Sequence, residues 1–75
     1  MHADPKQHTA VFSVVSPTGD IETIIAKEDE EKTARSVGLC KATQAAGWTA
    51  LVYGSARVFE VGSSREWHVS VKAVS

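Results

Sequence analysis

The segment ARSVGLCKATQAA, residues 34–46, puts Ala34, Gly38, Ala42 and Ala46 at every fourth position, with Ala45 beside them. At 3.6 residues per turn, successive members of that series drift by about 40°. They therefore form a narrow, nearly flat strip along one side of a helix, against which another backbone can lie unusually close. Gly38 within the helix costs about 1 kcal/mol relative to alanine. That cost points to a packing reason, because a larger side chain there would hold a neighbouring sheet away.

The flanking segments supply the sheet. Thr9–Val15 is rich in β-branched and aromatic residues, with Ala10, Phe12 and Val14 alternating against Val11, Ser13 and Val15. Ser16-Pro17-Thr18-Gly19-Asp20 carries the chemistry of a reversal, and Ile21–Ala26 returns as the second strand. Its two faces, Ile21, Thr23 and Ile25 against Glu22, Ile24 and Ala26, do not declare which is inward. Lys27 to Glu31 places acids where a helix start attracts negative charge, with Asp29 the cap candidate, and Gly47 is the expected stop. Trp48–Tyr53 alternates as a third strand, Gly54-Ser55 reads as a hairpin turn, and Ala56–Val61 returns from it. After Gly62-Ser63-Ser64, residues Arg65–Val74 show the clearest period of two. Trp67, Val69, Val71 and Ala73 face inward there, and Glu66, His68, Ser70 and Lys72 outward.

The sequence thus predicts an α+β fold of order ββαβββ, an antiparallel sheet with one helix packed on one face. Residues 9–75 form a single domain behind a flexible N-terminus, 1–8. Phe12, Trp48 and Trp67 are the expected inward aromatics. One helix covers one face of such a sheet, so the other meets water or a partner. Val11, Val15, Leu51 and Tyr53 are expected to form a modest apolar patch on it.

Composition limits function. The 75 residues carry a net charge of −1, which gives no general attraction to nucleic acid. One cysteine, Cys40, excludes an internal disulfide framework and favours a reducing, cytoplasmic setting. No apolar run approaches the roughly 20 residues that span a bilayer, and Met1–His8 lacks the apolar core of an export signal. No membrane association is expected.

Chemistry-bearing residues are sparse. His2, His8 and His68 have no second metal ligand at useful spacing, and Cys40 sits between Leu39 and Lys41 without a base. No phosphate-binding glycine loop or serine elbow is present. No enzyme activity, cofactor, metal or small-molecule substrate is expected. A nucleic-acid platform of Tyr53, Arg57, Arg65 and Lys72 is disfavoured by Glu22 and Glu66 and by the absence of the aromatic consensus of RNA-binding sheets. A protein partner remains. The candidate contacts are the acidic run Glu28, Asp29, Glu30 and Glu31, with Tyr53, Arg57, Glu66 and His68 on the open face.

The alanine-rich helix Ala34–Ala46, Gly47-Trp48, a strand at Leu51-Val52-Tyr53 and the Gly54-Ser55 turn resemble the layout of small phage and mobile-element anti-CRISPR proteins that inhibit type I systems. The resemblance implies a non-enzymatic, phage-encoded inhibitor in the host cytoplasm that binds a Cas subunit of the effector and blocks DNA recognition or cleavage. It carries over no contact residues. A second expectation on the same fold is a self-associating regulatory module, monomer or homodimer, that pairs through an edge strand or the open face.

Overall fold

A computed structural model of the chain describes residues 7–71. The expectations for Met1–Lys6, including His2, and for Lys72–Val74 lie outside the described residues. The elements are β1 (His8–Val15), β2 (Ile21–Glu28), α1 (Glu31–Tyr53), β3 (Ser55–Glu60) and β4 (Glu66–Ser70). The four strands form one antiparallel sheet of order β2-β1-β3-β4, with α1 packed on one face, an α+β fold.

The sheet has four strands rather than five, because Trp48–Tyr53 continues the helix. The reason is in the strip itself. Ala50 extends the period of four beyond Ala46, and Ala34, Gly38, Ala42, Ala46 and Ala50 are all buried. Gly47 therefore does not stop the helix; there is only open space where its Cβ would be. The terminator is Gly54, at φ 94°, whose N–H donates to the Ala50 carbonyl at 2.7 Å. Only glycine adopts that left-handed conformation without strain. Gly54 caps the helix rather than turning a hairpin. At the other end the cap position falls on Glu30, not Asp29, and no side chain there bonds the free amides.

The first hairpin forms as expected, closed by Ser16 N–H donating to the Asp20 carbonyl at 2.9 Å. β1 is central: it pairs with β2 along its whole length and with β3 from Phe12 to Val15. β2 and β3 thus run parallel on either side of β1, joined by α1 crossing above it. His8, expected in the loose terminus, is the first residue of β1.

The core lies between α1 and the face carrying Ala10, Phe12, Val14, Ala26, Ala56 and Val58. Phe12 is its centre. Gly38 lies directly over its ring, and Trp67 meets the ring at a centroid distance of 6.1 Å and a tilt of 53°. Trp67 is inward as expected, but Trp48 is not: it stands on the outer side of α1, 72 % exposed. Among the described residues only Phe12, Val14 and Val58 are large and fully buried; the rest of the interior is mostly alanine.

Candidate functional site

The register decides which side chains share the uncovered face. Ala10, Phe12 and Val14 face the helix, so Val11, Ser13 and Val15 face away. Opposite them on β2 stand Ile25, Thr23 and Ile21, and on β3 Phe59 pairs with Ser13 and Arg57 with Val15. Glu66 lies beside Phe59, and His68 beside Arg57. Val61 continues the series past β3, its N–H donating to the Val11 carbonyl at 2.9 Å. The result is an apolar centre with a polar margin along β4.

Most of that centre was not singled out from the sequence. Val11 and Val15 are where they were expected, but Leu51 and Tyr53 belong to α1 and lie off the sheet. Ile21, Ile25, Phe59 and Val61 take their place. The signal was available in the hairpin: a turn over Ser16–Asp20 sets Ile21 opposite Val15 and Ile25 opposite Val11. Ile21 is 68 % exposed, Ile25 55 % and Val61 57 %.

Arg57, Glu66 and His68 are brought together at one corner of this face. Glu66 Oε1 lies 3.1 Å from His68 Nε2 and 3.5 Å from Arg57 Nη1. The Arg57 guanidinium also sits 5.6 Å above the centre of the Phe59 ring. The histidine contact gains charge only when the imidazole is protonated. The acidic run is elsewhere. Glu28 ends β2 opposite His8, Asp29 and Glu30 form the bend, and Glu31 opens α1. In the sheet register that end lies away from the Arg57–His68 row.

A second polar feature lies on the opposite, helix-covered face. Glu60 stands on the helix face of β3, opposite Phe12, and is nearly buried. Arg35 holds it with two bonds, Nε to Oε2 at 2.9 Å and Nη2 to Oε1 at 3.2 Å. The Arg35 hydrogen bond draws the Glu60 carboxyl below its usual range against the opposing effect of burial, and the same pairing raises Arg35. The pair floors an open cleft of about 550 Å³ between the start of β1 and the Gly62-Ser63 turn. Its sequence signal is a glutamate in phase with Ala56 and Val58.

The described residues offer little for bond-making chemistry. Glu66, His68 and Ser70 lie in file on β4, yet no hydrogen bond joins Ser70 to His68, and all three face open solvent. Cys40 is exposed on α1. Among the described residues no group of three or more His, Cys, Asp or Glu could hold a metal ion. The nucleic-acid cluster is not assembled either: Tyr53 is on the helix, Arg57 is paired with Glu66, and Lys72 lies outside the described residues. No helix among the described residues is long and apolar enough to cross a membrane. No family model, curated protein or solved structure matches the chain.

Proposed function

We propose that this chain is a non-catalytic protein-binding module acting by occupancy, with the uncovered sheet face as its interface. The observation that carries this reading is the placing of its large apolar side chains. Ile21, Ile25 and Val61 are more than half exposed around Val11, Val15 and Phe59, while the helix–sheet interior is mostly alanine. An apolar centre bordered by the polar side chains of Arg57, Glu66 and His68 has the anatomy of a docking surface.

The partner carried forward from the sequence is a Cas subunit of a type I CRISPR effector, blocked sterically. What supports it is the alanine-rich helix of a small α+β chain; Gly47-Trp48, the strand at Leu51–Tyr53 and the Gly54-Ser55 turn do not support it, since Gly47 to Tyr53 lie within α1, Gly54 caps it and Ser55 begins β3. The test uses a purified type I effector complex and a plasmid-interference assay. Co-elution with the effector and loss of interference are expected, and both should vanish in the Phe59→Gln, Val61→Lys double variant with its circular dichroism unchanged. If neither effect appears with the unmodified chain, the inhibitor reading fails. If both persist in the double variant, the sheet face is not the interface.

A further inference from the structure

β2 is an edge strand eight residues long, with no proline or glycine to blunt it. Its main-chain groups that have no strand partner among the described residues can be named. The Val11 carbonyl accepts from Val61 on the β3 side, so odd residues of β1 bond toward β3 and even ones toward β2. Even residues of β2 are therefore engaged with β1, and Ile21, Thr23, Ile25 and Lys27 direct both N–H and C=O to the open edge.

From this edge we infer that the chain forms a two-fold dimer by antiparallel pairing of β2 with β2 of a second copy, centred on Ile24. A two-fold axis perpendicular to the sheet keeps both helices on one face and pairs residues of equal parity. Centred on Ile24, it sets Ile21 against Lys27 and Thr23 against Ile25, each twice by symmetry. That makes four hydrogen-bonded pairs, about eight main-chain bonds in an antiparallel ladder, with no like charges opposed from Ile21 to Lys27; Glu28 meets Asp20 only where the ladder ends. Centring on Ile25 places Glu22 against Glu28 twice, and centring on either Thr23 or Ile25 loses one pair. The edge is thus self-complementary in a single best register, which favours a second copy over an unrelated strand. The inference is independent of the face-binding reading: it uses the edge and leaves Phe59 and Val61 free, so either can fail alone.

The centred register brings the two Ile24 Cα atoms to about 4.5 Å in a non-hydrogen-bonded pair, within disulfide reach. In a Cys40→Ser background, Ile24→Cys should oxidise to a covalent dimer, and Thr23→Cys or Ile25→Cys should not. Sedimentation equilibrium of the unmodified chain should show dimer growing with concentration. Thr23→Pro, which removes one edge N–H and none from the β1–β2 ladder, should be monomeric with native circular dichroism. An unmodified chain that stays monomeric, a dimer that survives Thr23→Pro, or faster cross-linking at position 23 or 25 than at 24 would each overturn the inference. The cross-linking and sizing results stand even if Thr23→Pro does not fold.

Discussion

Two glycines of one helix should respond oppositely to the same change. A Cβ on Gly38 would stand 2.6 Å from Phe12 Cε1 and 2.9 Å from Cδ1, so either the buried ring, which lies beside Trp67, or the helix must shift to admit it. Overpacking of this kind costs about 1–3 kcal/mol, against a helix-propensity gain of about 1 kcal/mol. Gly38→Ala should therefore lose roughly 1 kcal/mol net, and Gly38→Leu should not fold. At Gly47 nothing lies within 4 Å of the added methyl, so only the propensity term remains. Gly47→Ala should gain about 0.5–1 kcal/mol. Urea unfolding of the two alanine variants is the measurement, and equal midpoints would mean that the strip does not rest on Phe12. Trp48 belongs to the same scale. At 72 % exposure it contributes little to folding, so Trp48→Gln should stay within about 0.5 kcal/mol of the unmodified chain.

At the scale of elements, the interior of α1 was legible and its ends were not. The period of four from Ala34 to Ala46 identifies the buried side unambiguously. The boundary at Gly47 was misplaced because residues 48–53 alternate as a strand would, while Ala50 also satisfies the helical period; six residues of mixed pattern fit both periods. The alanine strip decides between them, since an apolar stripe that is already buried along its length from Ala34 to Ala46 extends at little further cost. β1 and the first hairpin were legible from alternation and turn chemistry together. The inward face of β2 was not, because isoleucines lie on both of its sides. The helix start leaves an opening for improvement: Glu30 has cap geometry, φ −118° and ψ 140°, but its side chain makes no cap bond. Glu30→Ser should raise stability by about 1 kcal/mol, read from thermal or urea unfolding, by supplying the short acceptor this position favours.

The Arg35–Glu60 pair links α1 to β3 and gives the fold a pH dependence of known sign. Glu60 has its pKa lowered in the folded chain, first by the Arg35 hydrogen bond, so the unfolded chain takes up that proton more readily. Its stabilising contribution is full above the ordinary glutamate value of 4.5 and is lost as pH falls through the lower folded value. Arg35 remains charged throughout this range. Unfolding midpoints measured downward from pH 6 should fall on acidification, and less steeply in Arg35→Met. The variant should also be less stable near neutrality, because Glu60 is then left nearly buried without its partner. An identical acid slope in both proteins would remove Glu60 from the account.

For the molecule as a whole, the distribution of apolar volume separates folding from binding. Among the described residues, seven alanines line a thin interior around Phe12, Val14 and Val58, while Ile21, Ile25, Trp48, Leu51 and Val52 are all more than half exposed. A thin interior follows from the small-residue strip: the closer α1 lies to the sheet, the less room remains for branched side chains between them. The few large buried groups therefore carry a disproportionate share of stability, and Val14→Ala or Val58→Ala should each cost about 2 kcal/mol. Exposed isoleucines have already lost little contact with water, so Ile21→Thr and Ile25→Thr should each change stability by less than about 0.5 kcal/mol. Association should show the reverse order. If the uncovered face binds a protein partner, Ile21→Thr and Ile25→Thr weaken binding measured by calorimetry, while the folded fraction of Val14→Ala binds with unaltered affinity, since Val14 points into the core. A scan in which the exposed isoleucines prove as important to folding as Val14 and Val58 would mean that the open face is covered within the isolated chain. It would also remove the reason for assigning that face to a partner.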